Sequence, residues 1–399
     1  MIRTVCTEDL PCAREAFSTL GEVCIRPGGT LAPSDLTDAD LLAVRSGTRV
    51  DASLLAGSRV KFVGTATIGY DHLDTAGLDR AGIRWASAPG CNANSVADWF
   101  CAALFTLARR HGFRLAGKTL GLVGHGNVGA RVAARAVALG LRVLLNDPPR
   151  ARAARDAAYL PLREVLGASD IVTLHVPLEK EGAEPTFHLA GAGFFAMMKP
   201  GAIFVNAARG AVVDTDALLD AMDRGLVRHA VMDTWEGEPV YRTDLLRRAA
   251  LGTAHIAGHS YEGKVMGTAM VYREACRFLG VVPQWSSDAH LAEDLPGHPK
   301  RVLDLAPSAE IETVVGDAVL AAYNLGDDDA ALRRTLSLDD AARAQAFRAL
   351  RKAYPVRREF RWHTLNCPGI SPETRRVLLG LGFRVDGPPQ GNKARGASL

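Results

Sequence analysis

Along roughly the first 280 residues, short runs of β-branched and aliphatic side chains alternate with stretches whose apolar positions recur every three to four residues. The runs at 3–6, 22–25, 41–44 and 60–64 are candidate strands, and the amphipathic stretch 11–20 lies between the first two. Such alternation predicts βα units on a parallel sheet, so the N-terminal part is expected to be a small open α/β domain. A longer helical pattern starts near Asn94, where Val96, Trp99, Phe100, Ala103, Leu104 and Leu107 fall on one face. Asn94 or Ser95 is placed to cap its start and Gly112 to end it. A second block of runs follows at 120–124, 143–146, 170–176, 202–206, 230–233 and 253–257. These are nearly all apolar, as expected of strands covered by helices on both faces, and predict a doubly wound central domain over 98–255. Beyond about residue 281 the pattern changes, with the turn-rich stretches VVPQWSSDAH and EDLPGHPK. Strand candidates at 301–305 and 383–385 then mix with helical segments at 310–323 and 339–353, which reads as a smaller α+β domain. The polar, Gly/Pro-rich end, 386–399, is expected to be a flexible tail.

A length of 399 residues exceeds what one hydrophobic core serves well and fits two or three domains. The apolar fraction of 48% and charged fraction of 23% are ordinary for a globular protein. A net charge of +3 gives no ground for a nucleic-acid groove or an anionic membrane as partner. The first residues carry Glu8 and Asp9 and no apolar targeting core, and no apolar run approaches the ~18 residues of a membrane span. Seven cysteines, at 6, 12, 24, 91, 101, 276 and 367, form neither a CxxC pair nor a zinc-spaced cluster. No metal site is expected, and scattered thiols suit a cytoplasmic location.

Gly124-His125-Gly126-Asn127-Val128-Gly129 is a GxGxxG motif. Glycine-rich turns are common, but here an apolar strand enters the motif and a helical pattern leaves it. Gly124 permits the tight turn, Gly126 lets the backbone approach a pyrophosphate, and Gly129 lets helix and strand pack closely. The helix N-terminus offers N–H groups and partial positive charge to phosphates. Asp147, 18 residues beyond Gly129 at the end of the next strand, can accept from a ribose 2′-hydroxyl and repel a 2′-phosphate. NAD is therefore the expected cofactor, although Arg150 close by could accommodate the phosphate of NADP.

Three further segments end candidate strands, where ligands sit on open α/β sheets. Asn206-Ala207-Ala208-Arg209-Gly210 places an arginine among small residues, able to form a bidentate fork to a carboxylate or to serve as an ordinary surface cation. In Asp233-Thr234-Trp235-Glu236-Gly237-Glu238-Pro239, Asp233 could accept from a nicotinamide carboxamide or ribose. The residues alone do not choose between Glu236 and Glu238 as a site acid. His255 lies in an apolar run between Gly252 and Gly258, and with a neighbouring carboxylate it would serve as an acid/base near neutral pH.

The ordered motifs GHGNVG, NAARGAVVD, MDTWEGEP and HIAGHS resemble the D-isomer-specific 2-hydroxyacid dehydrogenase family. The resemblance implies two doubly wound Rossmann-like domains flanking a cleft, with the nucleotide domain inserted in the chain of the substrate domain. The expected division is a substrate-binding domain over 1–97 and 256–284, an NAD-binding domain over 98–255, and a C-terminal α+β dimerisation domain over 285–385. The family's triad falls on Arg209, Glu238 and His255, with Arg209 on the substrate carboxylate, His255 taking the hydroxyl proton and Glu238 pairing with the imidazole. Cofactor contacts are implied for Gly124, Gly126, Asn127, Val128, Gly129, Asp147, Val176, Ala207, Ala208, Arg209, Asp233 and Gly258.

Within the family the chain is most similar to the branch that oxidises 4-phospho-D-erythronate in vitamin B6 biosynthesis, through Ala43-Val44-Arg45-Ser46, 61–67, 88–93 and the added C-terminal segment. That likeness implies a homodimer and a small phosphorylated hydroxy-acid substrate, contacted by Ser46, Thr67 and the residue at 259, with Arg45 a phosphate partner by charge. His259 stands where the branch carries tyrosine, and Val176 where it carries threonine. Other substrates (3-phosphoglycerate, glycerate, glyoxylate) and a non-catalytic NAD sensor are the alternative readings. Among the C-terminal arginines, Arg357 and Arg358 read as a solvated face or as reaching a phosphate across a dimer interface.

Overall fold

The computed structural model describes residues 1–154, 158–292, 301–306, 308 and 310–386. The EDLPGHPK stretch, residues 293–300, and the tail beyond residue 386 lie outside the described residues. The chain forms two compact units, Met1–Ser95 with Gly258–Pro296, and Val96–Ala257 with Gly297–Leu399.

The first unit is built on five parallel strands, β1 (Ile2–Thr7), β2 (Gly21–Arg26), β3 (Leu41–Val44), β4 (Phe62–Thr65) and β5 (Arg84–Ala86), in the order β2-β1-β3-β4-β5. β3 explains the continuous apolar run at 41–44. Leu41 and Ala43 join one core with Phe62, Val271 and Tyr272, while Leu42 and Val44 join another with Val5 and Val63. Alternate side chains thus bury on opposite faces, both covered. The strand order reverses between β1 and β3, which makes their C-terminal ends a ligand position. β5 is a three-residue edge strand that starts on exposed Arg84 and has no periodic apolar pattern to announce it.

The second unit carries β6 (Thr119–Val123), β7 (Arg142–Asn146), β8 (Ile171–Leu174), β9 (Ala202–Asn206), β10 (Val227–Met232) and β11 (Leu251–Gly252). Their order is β11-β10-β9-β8-β6-β7, all parallel, with the switch point between β6 and β8. The expected strand at 253–257 is not formed. β11 stops at Gly252 because the buried Asp233 carboxylate takes the N–H groups of Ile256 (2.8 Å) and Ala257 (3.1 Å), which pulls this apolar run out of the ladder.

The C-terminal segment has its own parallel sheet, β12 (Val302–Asp304), β13 (Thr364–Asn366) and β14 (Arg384–Val385), in that order. Val314, Val319, Leu365, Leu378 and Phe383 bury in one cluster with Leu104, Leu107 and Leu120, so the segment shares its core with the nucleotide-type sheet. Arg357 and Arg358 are buried within this chain, not set on a solvated face.

Candidate active site

The GxGxxG motif lies where β6 passes into the helix Asn127–Ala138, at the switch point of the second sheet. A Cβ on Gly129 would come 2.1 Å from the carbonyl oxygen of Gly124, so only glycine lets helix and strand approach this closely. A Cβ on Gly124, at φ +92°, would come 2.7 Å from the carbonyl oxygen of His175 at the end of β8, next to Val176. Gly126 differs: no protein atom lies within 4 Å of the position its Cβ would take. The open space lies at a helix N-terminus that no side chain caps, the arrangement a pyrophosphate requires. Asn127 and Val128 open this helix.

Asp147 follows β7 and accepts from the backbone N–H of His125 (2.8 Å) and of Arg150 (3.0 Å), which fixes its carboxylate beside the glycine turn. His125 in turn meets the Tyr159 hydroxyl at 2.9 Å, and burial together with the Arg150 charge lowers its pKa against the pull of Asp147. Burial pushes His175 down to about 3, so its ring is neutral where it meets Thr173 at 3.0 Å.

After β9, the side chain of Asn206 folds the next loop, donating to the carbonyl of Arg209 (3.0 Å) and accepting from the N–H of Ala208 (3.1 Å). Ala207 and the half-buried Arg209 are presented there, and Arg209 also donates to the Ala208 carbonyl at 2.8 Å. Gly210 is required by proximity, since a Cβ would lie 2.0 Å from the Trp235 carbonyl oxygen. The loops after β9 and β10 are thereby held backbone to backbone.

Asp233, at the end of β10, is 1% exposed and takes three donors, the Thr253 hydroxyl (2.6 Å) and the N–H groups of Ile256 and Ala257. Its main role in this structure is to shape the loop that carries His255; one acceptor position remains on Oδ2 for a further donor. His255 adopts φ 54°, a left-handed conformation that is costly for a residue with a Cβ, and its N–H donates to the Asp233 carbonyl at 2.8 Å.

The two loop acids are separated by their partners. Glu238 hydrogen-bonds His255 Nδ1 and accepts from the Trp235 N–H at 3.2 Å. Glu236 instead hydrogen-bonds His188 and accepts from the Thr215 N–H at 3.1 Å. Burial pushes the Glu238 carboxyl up, but the charge and hydrogen bond of His255, with a smaller contribution from Arg351, outweigh it and leave the pKa lowered. An ionised carboxylate on Nδ1 fixes the tautomer and leaves Nε2 to exchange a proton. Trp235, fully buried, anchors the loop by donating from its indole to the Thr253 carbonyl at 2.8 Å.

In the first unit, Arg45 and Ser46 follow β3 at the switch point. Arg45 is buried, donates to the Ala66 carbonyl at 3.1 Å and lies 3.8 Å from Asp9, while Ser46 is exposed. Thr67, just past β4, meets the Thr65 hydroxyl at 2.7 Å and donates to the Gly69 carbonyl at 2.8 Å. Gly258 packs against Asn92, and His259 beside it is half-buried. Thr253 and Arg351 carry no motif that points to their roles, and the Arg357 contact is made by folding with a residue outside its own segment's pattern. No described helix is long and apolar enough to cross a membrane. Among the described residues, no three His, Cys, Asp or Glu side chains cluster as metal ligands.

Residues 93–257 match the family described as D-isomer specific 2-hydroxyacid dehydrogenase, NAD binding domain, and residues 295–382 match a domain of unknown function, DUF3410. The chain is 44% identical to an erythronate-4-phosphate dehydrogenase of Salinibacter ruber, over 95% of this chain and 97% of that one. It is 44% identical to the enzyme of that name from Azotobacter vinelandii, over 96% and 99% of the two chains. Among solved structures, a D-lactate dehydrogenase from Aquifex aeolicus complexed with NAD and lactic acid superposes with TM-score 0.57 at 26% identity, over 69% of this chain and 95% of that one. An NAD-bound 3-phosphoglycerate dehydrogenase from Entamoeba histolytica gives TM-score 0.61 at 24% identity, over 70% and 95%, and is a likeness of fold.

Proposed function

The chain belongs to the D-isomer specific 2-hydroxyacid dehydrogenase family, and from its likeness to erythronate-4-phosphate dehydrogenases we propose that it oxidises 4-phospho-D-erythronate at C2, in vitamin B6 biosynthesis. It is an NAD-dependent dehydrogenase acting on a CH–OH group. The observation that carries the chemistry is the His255–Glu238 pair, held at the strand ends of the NAD-binding fold.

In this reading Gly124, Gly126 and Gly129 with the helix N-terminus hold the pyrophosphate, and Asp147 takes the ribose. Asn127, Val128, Val176, Ala207, Ala208, Asp233 and Gly258 complete the cofactor contacts. NAD, when bound, supplies the acceptor for the hydrogen and two electrons that leave C2. His255 Nε2 takes the hydroxyl proton, and Glu238 stabilises the resulting imidazolium through Nδ1. Arg209 binds the substrate carboxylate with its planar fork. Arg45, Ser46, Thr67 and His259 are assigned to substrate binding, and Arg45 is the one cation among them suited to a phosphate.

The enzyme is further proposed to be cytoplasmic, as its scattered cysteines suggest, and a homodimer through its C-terminal segment, consistent with exposed apolar side chains such as Val302, Val356 and Leu379 in that segment. NADH formation measured on 4-phosphoerythronate, 3-phosphoglycerate and glycerate tests the substrate. The expected result is a kcat/KM for 4-phosphoerythronate at least about 10²-fold above the others; preference for another acid would leave the chemistry and retire this substrate.

A further inference from the structure

The segment that matches a domain of unknown function supplies the groups that hold the catalytic loop at both ends. His255 sits on residues 253–257, which leave the sheet after Gly252. At the start of this stretch the N–H of Gly252 donates to Asp329 at 2.8 Å. Asp329, on the helix Leu325–Arg333, is 5% exposed and is held by Arg333 at 3.0 Å and Arg110 at 3.5 Å. Arg333 also donates to the carbonyls of Leu246 (2.8 Å) and Ala249 (2.7 Å), which tie down the approach to β11. At the far end Arg357, 8% exposed, donates to the carbonyl of Ala257 at 2.6 Å. Its guanidinium lies 4.3 Å from the centre of the Tyr323 ring. The hydroxyls of Tyr323 and Tyr354 both donate to Asp328, at 2.6 and 2.8 Å, so the buried arginine is enclosed by a hydrogen-bonded wall.

We propose that the C-terminal segment is a positioning element for the acid–base pair: Asp329 and Arg357 clamp the two ends of the 252–257 loop and so hold His255 against Glu238. The need for a clamp follows from the backbone. A histidine at φ 54° persists only where its surroundings over-determine the loop. Asp233 holds the loop from inside at Thr253, Ile256 and Ala257, and the C-terminal residues add a second hold at Gly252 and on the Ala257 carbonyl. With either end released, the loop can relax toward negative φ and swing the ring off the carboxylate. Arg351, from the helix Asp340–Lys352, adds to this role through the positive charge it sets near Glu238. Asp329 and Arg357 act through the loop backbone, at the Gly252 N–H and the Ala257 carbonyl.

The inference rests on His255 being the proton acceptor, and its test has a readout that needs no turnover. In the full-length enzyme, Arg357→Met and Asp329→Leu are compared with the conservative Arg357→Lys and Asp329→Asn, which keep a donor and an acceptor at those positions. The expected result for the first two is a kcat lowered about 10²-fold, KM and NADH affinity within about threefold, and faster amide exchange confined to residues 252–257. The conservative pair recovers most of both losses. Unchanged kcat and loop exchange in Arg357→Met would overturn the clamp, as would a parallel fall in kcat, NADH affinity and melting temperature. Should Arg357→Met not fold, Asp329→Leu decides: faster loop exchange with lowered kcat supports the clamp, and no change in either removes it. Failure of the functional reading would show separately, as an unmodified enzyme inactive on every hydroxy acid, while the loop-exchange comparison still judges the clamp.

Discussion

Glu236 and Glu238 stand two residues apart in one loop and reach different histidines, which gives each a distinct expected effect on mutation. Glu238→Gln keeps the shape but removes the charge that stabilises the imidazolium, and kcat is expected to fall about 10²–10³-fold with NADH binding retained. Glu236→Gln keeps an oxygen able to accept from Thr215, and a loss of less than about tenfold is expected. Steady-state kinetics on the two variants check the contrast; equal losses would undo the assignment. Glu238 also makes a pH prediction whose sign is fixed. Its folded pKa is lowered, by His255 against the opposing effect of burial, so folding favours the ionised form. The resulting stabilisation is complete above the ordinary glutamate value of about 4.3 and is lost as pH falls through the lowered folded value. Urea unfolding of the unmodified protein and Glu238→Gln should therefore differ most above that range and converge below it. A gap that widens on acidification would contradict the pairing.

At the scale of elements, the GxGxxG turn separates two jobs that look alike in the sequence. Gly129 is occupied by the fold itself, with 2.1 Å between its would-be Cβ and the Gly124 carbonyl oxygen, whereas Gly126 faces open space at φ −78°. Gly126→Ala is expected to leave the melting temperature nearly unchanged and weaken NADH binding at least about tenfold, while Gly129→Ala should lose thermal stability as helix and strand are forced apart. Fluorescence titration and thermal unfolding of the pair check this, and intact NADH affinity in Gly126→Ala would move the pyrophosphate elsewhere. The strands that position this site were legible because burial on both faces leaves an almost unbroken apolar run, as at β6, β8 and β9. The run at 253–257 deceived for the same reason: it is apolar because it is buried, yet Asp233 captures the hydroxyl of Thr253, twenty residues on, and the N–H groups of Ile256 and Ala257. β5 and β13 have three residues each, too few to show a period. Arg357 and Arg358 read as solvated because two adjacent cations followed by Glu359 look like an exposed face, whereas the Tyr323 ring against Arg357 comes from the end of a distant helix and the Trp362 ring against Arg358 from the turn that follows.

For the whole molecule, the question is what the added C-terminal segment does besides hold the catalytic loop. Its helix Pro372–Gly380 packs on the helix Asn127–Ala138 so closely that a Cβ on Gly380 would lie 2.7 Å from the Cβ of Ala138. On either side of this contact, Val137 is 62% exposed and Leu379 is 50% exposed. Single exposed apolar residues are ordinary, but two on adjoining helices, one of them in the segment assigned to self-association, locate a specific place to disturb it. A stable dimer needs about 800 Å² per partner, so these two residues would be a part of the contact, and a charge on each would leave two carboxylates buried without partners. The expected outcome for Val137→Asp combined with Leu379→Asp is a shift from dimer to monomer in sedimentation velocity at micromolar concentration, with NADH affinity preserved because the glycine turn lies at the other end of the helix Asn127–Ala138. An unmodified protein that sediments as a monomer would dismiss the homodimer outright. A double variant that remains dimeric would keep the dimer and move its interface to another surface, for which the edge strand β12, carrying Val302 at 58% exposure, is the next to test.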